Sequence, residues 1–173
     1  MSIRKNQKEA IEITTKNEFK SGVHFHATGT GKSWIALEIL KKYNSEYPKN
    51  NIMWLCEQKS VLTEQFQRKT LIEKGYDKLL KKFMILNYTN RKDKDWFDHV
   101  NSAIVWKKPI LVIINRAFLV SNTKYKKIVT PLNLIIHDEC HTIVNETTQN
   151  FYSYILDKYP ETKCLGFSAT PNI

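Results

Sequence analysis

His26-Ala27-Thr28-Gly29-Thr30-Gly31-Lys32-Ser33 lies between the short run Gly22-Val23-His24-Phe25 and the helically spaced run Trp34-Ile35-Ala36-Leu37-Glu38-Ile39-Leu40. The spacing predicts a strand, a glycine-bearing loop and a helix, in that order. That succession builds a phosphate cradle from Thr28 to Ser33. Gly29 and Gly31 let the backbone turn its N–H groups inward and approach phosphates closely. The first turn of the helix adds the positive end of its dipole. Lys32 has the reach for the β- and γ-phosphates, and the Ser33 hydroxyl is a ligand for Mg²⁺. The full pattern G-x-x-x-x-G-K-[ST] asks for glycine where this chain has His26. The competing reading is a glycine-rich turn that binds nothing.

A phosphate loop needs an acidic partner, and one stands downstream. Leu132-Asn133-Leu134-Ile135-Ile136 predicts a buried strand, and His137-Asp138-Glu139-Cys140-His141 leaves its end. Phosphoryl transfer needs positioning, charge neutralisation and an oriented water. Asp138 sits as a Walker B acid that holds Mg²⁺ through its water shell. Glu139 is next in sequence, so it can point elsewhere and polarise the attacking water. An Asp-Glu pair at a strand end is also a common surface feature, and beside a phosphate loop the functional reading gains weight. His141, two residues past the second acid, is placed to hydrogen-bond Ser168 or Thr170 and so link the nucleotide site to that segment.

The remaining runs give the fold class. Ile52-Met53-Trp54-Leu55-Cys56, Phe83-Met84-Ile85-Leu86, Ile110-Leu111-Val112-Ile113-Ile114 and Lys163-Cys164-Leu165-Gly166-Phe167 read as strands. Helices are expected over 3–13, 33–43, 61–69, 96–106 and 146–158. Apolar strands alternating with helices mean a parallel sheet covered on both faces, an α/β architecture. Ligands of such sheets sit at the carboxyl ends of the strands. Thr28 to Ser33, Glu57 to Ser60, Asn115-Arg116, Asp138 to His141 and Ser168 to Thr170 each leave such an end, so they can share one edge. The stretch 70–108 is lysine-rich and carries Tyr88, Trp96 and Trp106. It reads either as a stacking surface for single strands or as a solvated helix with its aromatics in the core.

At 173 residues the chain fits one domain with a sizeable core. Its net charge of +10 points to a polyanionic partner, nucleic acid first and an anionic membrane surface second. A lysine-rich proteome yields the same charge without any partner, and the many Asn, Lys and Ile residues fit that case. The cysteines Cys56, Cys140 and Cys164 form no C-x-x-C pair and are odd in number. They read as reduced thiols, which argues against a disulfide frame or a zinc site. With neither a signal peptide nor a membrane-length apolar run in the sequence, the expectation is an intracellular protein, cytoplasmic or in a viral factory or nucleoid, and not a secreted one. In the first helix Ile3, Gln7, Ala10 and Ile11 share a face. The Gln7 amide can donate and accept, which suits the edge of adenine, although a surface or capping role is equally open.

Thr28-Gly29-Thr30-Gly31-Lys32-Ser33, Asp138-Glu139-Cys140-His141 and Ser168-Ala169-Thr170 together resemble motifs I, II and III of superfamily 2 helicases and translocases, the second being a DECH form of the DEAD/DEAH box. The flavour is similar to type I/type III restriction-enzyme motors and related viral helicases. The resemblance implies a RecA-like P-loop fold, ATP and Mg²⁺ as cofactors, and DNA or RNA as partner. It implies that Gln7 reads adenine, as in the openings of those proteins. Lys59-Ser60-Val61-Leu62-Thr63-Glu64-Gln65 is similar to motif Ia, which makes Lys59 and Gln65 candidates for the nucleic-acid backbone. Asn115 stands where the next nucleic-acid motif usually has threonine; it can still hydrogen-bond a phosphate, and Arg116 adds charge. Such contacts position a strand and do not read its sequence.

Motors of this kind work as two RecA-like domains with ATP between them, the second supplying arginine fingers. The expectation is therefore that residues 1–173 are the first motor domain, monomeric as a fragment, with its partner domain after residue 173. Lacking an arginine finger costs on the order of a thousandfold or more in rate, so the fragment is expected to bind ATP and hydrolyse it poorly. One rival is an ATP-dependent clamp or scaffold without unwinding activity. Another is a different P-loop enzyme, a GTPase or small-molecule kinase. Asn90-Arg91-Lys92-Asp93 only faintly resembles the guanine-reading N-K-x-D, with its lysine misplaced.

Overall fold

The computed structural model of the chain describes residues 22–25, 32–57, 72–73, 75–88, 94–138 and 146–168, with backbone alone at 22–25, 32–34, 104, 138 and 168. The expected helices over 3–13 and 61–69 lie outside the described residues. Six strands follow in chain order: β1 (Gly22–Phe25), β2 (Ile52–Cys56), β3 (Met84–Tyr88), β4 (Ile110–Asn115), β5 (Leu134–Asp138) and β6 (Lys163–Ser168). They form one sheet of order β1-β6-β5-β2-β4-β3, and every pairing is parallel. The helices are α1 (Lys32–Glu46), α2 (Asp77–Leu80), α3 (Trp96–Ser102), α4 (Arg116–Val120) and α5 (Glu146–Lys158), with 3-10 turns at Ala103–Val105 and Lys124–Lys127.

The apolar strands are apolar because both faces are covered. On one face Trp54, Leu111, Ile113, Ile136 and Phe167 meet Ile35, Ile39 and Leu40 of α1. On the other Met53, Leu55, Val112, Ile114 and Ile135 meet Trp96 of α3 and Phe151 and Ile155 of α5. Successive residues of β2 thus alternate between two cores, and all five are buried. Each such side chain contributes roughly 1.5–3 kcal/mol by leaving water. The edge strand β3 alternates instead, with Ile85 39% exposed.

Several boundaries differ from the sequence reading. The helix expected over 33–43 runs on to Glu46. The strand expected from Phe83 starts at Met84 because the Phe83 N–H bonds back to the Leu80 carbonyl and closes the α2 turn. The strand expected from Leu132 starts at Leu134, where the Asn133 and Leu134 N–H groups converge on the one Asn51 carbonyl at 2.9 and 3.2 Å. The helix expected over 96–106 ends at Ser102 and tightens into a 3-10 turn before Trp106. Tyr88 and Trp96 are core residues, at 4% and 1% exposure, whereas Trp106 is 60% exposed. The stacking-surface reading therefore fails for the first two aromatics.

Candidate functional site

Parallel pairing sends every strand's carboxyl end to one edge. There the register sets Phe25 beside Ser168 and Phe167 beside Asp138. β1 and the strand ending in Asp138 thus flank β6, about 10 Å apart at ordinary strand spacing. Lys32 and Ser33 are the first two residues of α1, where a helix presents unpaired N–H groups and a positive dipole end. Asp138 and Ser168 are the last residues of β5 and β6. Gln7, Thr28, Gly29, Thr30, Gly31, Lys59, Gln65, Glu139, His141 and Thr170 lie outside the described residues. The Ser33 hydroxyl and the Asp138 carboxylate are hard oxygen donors of the kind Mg²⁺ takes, and their strand and helix ends stand on the same edge, so the residues present fit the ion.

The next part of the edge carries side chains in full. Glu57, one residue past β2, is the hub. Its two carboxylate oxygens accept from Arg116 Nε at 2.5 and 2.9 Å. His137 Nε2 lies 3.1 Å from Oε1. Arg116 Nη1 donates to Thr148 Oγ1 at 2.8 Å, and the Tyr152 hydroxyl is 3.2 Å from His137 Nδ1. Thr148 and Tyr152 are four apart on α5, hence on one face. The contacts form a chain from Thr148 through Arg116, Glu57 and His137 to Tyr152, with both of its ends on α5. It joins the ends of three adjacent strands, β5, β2 and β4, to the helix that packs over them.

Burial pushes the Glu57 carboxyl up, but hydrogen bonds from His137 and Arg116 and the charges behind them outweigh it and hold the carboxyl below its ordinary value. An ionised carboxylate only accepts, so His137 Nε2 must carry a proton. Asn115 is 2% exposed. Its Oδ1 accepts from Phe118 N at 3.0 Å and so caps α4, and its Nδ2 donates to the Glu57 carbonyl at 3.2 Å. Both arms are used within the chain. Arg116 is different: with Nε on Glu57 and Nη1 on Thr148, its Nη2 faces no partner among the described residues.

Sequence reading singled out Asn115, Arg116 and Asp138 and missed Glu57, His137, Thr148 and Tyr152 as a set. The available signal was modest. Glu57 and His137 stand at strand ends, and Thr148 and Tyr152 share helical spacing, but nothing in the sequence says that these ends are neighbours.

A family described as "Type III restriction enzyme, res subunit" matches residues 1–173. Among solved structures, the UvsW helicase from bacteriophage T4 superposes with a TM-score of 0.64 at 17% identity, over 98% of this chain and 53% of that one. A nuclease-deletion mutant of the Type ISP restriction-modification enzyme LlaGI, in complex with a DNA substrate mimic, superposes with a TM-score of 0.67 at 18% identity, over 100% of this chain and 18% of that one. At these identities the likeness is one of fold. The chain spans about half of the first of these proteins and a fifth of the second. No curated protein matches the sequence significantly.

Proposed function

The chain belongs to the family of the type III restriction enzyme res subunit, and from that premise we propose that it is the first RecA-like motor domain of an ATP-dependent nucleic-acid helicase or translocase. The observation that carries the reading is the sheet order β1-β6-β5. It brings the phosphate-loop strand, the Ser168 strand and the Asp138 strand side by side with their carboxyl ends together.

In this reading the loop before α1 holds the phosphates of ATP, with Lys32 on the β- and γ-phosphates and Gln7 on the adenine. Ser33 and Asp138 hold Mg²⁺, which neutralises charge on the phosphoryl group being transferred. Glu139 orients the attacking water. His141, Ser168 and Thr170 carry the state of the site toward the rest of the motor. Lys59, Gln65 and Arg116 touch the nucleic-acid backbone, Arg116 through Nη2. Asn115 acts through its backbone and its cap on α4. A second RecA-like domain completes the ATP site.

The test is ATP hydrolysis by the full-length protein, with and without single- and double-stranded DNA and RNA, beside Lys32→Ala. Hydrolysis stimulated by nucleic acid and lost in Lys32→Ala is the expected result. A full-length protein that neither binds nucleic acid nor hydrolyses ATP faster in its presence overturns the proposal.

A further inference from the structure

The opposite edge of the sheet, where β2 and β4 begin, has its own chemistry. A cavity of about 230 Å³ opens there, its lining including Lys49, Asn51, Trp106, Lys107, Lys108 and Thr130. Three of the nine lining residues are lysines and none is acidic. Trp106 is 60% exposed and its neighbour Val105 81% exposed, whereas Trp54 and Trp96 are buried at 0% and 1%. Core packing therefore does not explain the indole at this corner. The chain leaves the 3-10 turn at Trp106 in an extended conformation, φ −81° and ψ 147°, which ends the helical run beside the crevice.

The floor is rigid. Asn51 Oδ1 accepts from Ile110 N at 3.1 Å, Nδ2 donates to the Pro131 carbonyl at 3.0 Å, and the Asn51 N–H donates to Asn133 Oδ1 at 2.8 Å. Lys108 Nζ donates to the Lys81 carbonyl at 3.1 Å. A neutral acceptor fixes that ammonium without cancelling its charge.

We propose that this crevice is a second nucleic-acid contact, in which one unpaired base of a single strand stacks on Trp106 and the flanking phosphates lie against Lys49, Lys107 and Lys108. Indole and ammonium side by side fit a base joined to phosphate, because stacking tolerates every base and the cations follow the backbone. The cavity is smaller than the roughly 300–1,000 Å³ that encloses a small ligand, which favours a polymer passing over it. Bases of a duplex are already stacked, so an unpaired strand is the occupant. β4 has six residues, so about 20 Å of strand separates the crevice from the carboxyl-end site. The two edges cannot hold the same nucleotide, and the proposal stands whether or not the motor reading does.

The test uses the full-length protein and fluorescein-labelled oligo(dT), with a hairpin duplex of equal charge as comparison. Trp106→Ala is expected to weaken oligo(dT) binding about tenfold, the loss of one stacked base, and to change duplex binding less than twofold. Lys107→Ala with Lys108→Ala is expected to reduce the slope of log K against log salt by about 1.4, at roughly 0.7 per phosphate contact on a single strand. A 5-bromouracil oligomer is expected to crosslink to the peptide carrying Trp106. Oligo(dT) affinity within twofold of wild type in Trp106→Ala overturns the proposal, as does equal weakening of strand and duplex. Trp106 is largely solvent-facing, so its loss should leave folding intact. Lys32→Ala, which reports on the motor reading alone, should leave the crosslink in place.

Discussion

Glu57 accepts from His137 across the β2–β5 pairing at 3.1 Å, and His137 is the residue immediately before Asp138. The side chain one residue past β2 thus holds the penultimate residue of β5, the strand that ends in Asp138. The same carboxylate holds Arg116 on the far side, so a single residue fixes the relative height of three strand ends.

Replacing Glu57 by Gln leaves Arg116 and His137 in a partly buried place without their carboxylate. Loss of about 1–3 kcal/mol of folding stability is expected, read from denaturant or thermal unfolding. In a double-mutant cycle, Glu57→Gln and Arg116→Gln should couple by roughly 0.5–3 kcal/mol, since they share one ion pair. Additive losses would show that the pair contributes nothing of its own.

The pH dependence follows from the same group. The folded Glu57 carboxyl lies below its unfolded value, so the unfolded chain takes up the proton first as pH falls. The contribution of Glu57 is complete above the ordinary carboxylate value of about 4.3 and disappears as pH drops through the lower folded value. The difference in melting temperature between wild type and Glu57→Gln should therefore be constant from neutral pH to about 5 and close below about 4. A gap that widens on acidification would contradict the assignment.

Asn115→Ala removes the cap on α4 and the tie to the Glu57 carbonyl. A loss of about 0.5–2 kcal/mol is expected from the cap alone, with nucleic-acid affinity unchanged at temperatures where the protein is folded. Arg116→Gln should show the reverse emphasis, with weaker binding and a shallower salt dependence. Binding titrations at several salt concentrations distinguish the two.

Glu139→Gln should retain ATP binding and lose hydrolysis by a hundredfold or more, in line with removal of a positioned general base. A motor would lose its movement along nucleic acid with it. A protein that works as a clamp or scaffold would keep its cellular activity, and complementation with this variant checks the point.

Burial pushes the Cys164 thiol up to about 12, so almost no thiolate exists near neutrality, and thiolate is the reactive form. Alkylation at pH 8 should leave Cys164 unmodified until denaturant is added. Rapid labelling of the native protein, mapped by mass spectrometry, would contradict the packing described around β6.

The fold was legible where pattern and punctuation agreed. Uninterrupted apolar runs such as Ile110–Ile114 can be satisfied only by a strand covered on both faces, and they fell where expected. The acidic motif was expected at a strand end, and Asp138 is the last residue of β5. What escaped was made by neighbourhood. Nothing near Glu57 in sequence indicates that β2 lies between β4 and β5, so the contacts running from Glu57 through Arg116 and His137 to α5 could not be read. Short elements escaped for a different reason: α4 has five residues, too few for helical periodicity, and only its Asn115 cap announces it. The three aromatics of 70–108 looked alike in sequence, and depth in the core separated Trp96 from Trp106.

The pairing of β1 bears on how the molecule is made. Gly22 lies beside Leu165 and Phe25 beside Ser168, so β1, the first of the described strands, pairs only with β6, the last of them. β3 and β4, and β5 and β6, are the only sequential strands among the described residues that pair with each other. Closure of such distant contacts is slow. A nascent chain halted before β6 could pair β3, β4, β2 and β5 but would leave β1 outside that sheet. Ribosome-bound chains of increasing length should therefore gain protease protection of residues 22–25 in one late step, once β6 has emerged.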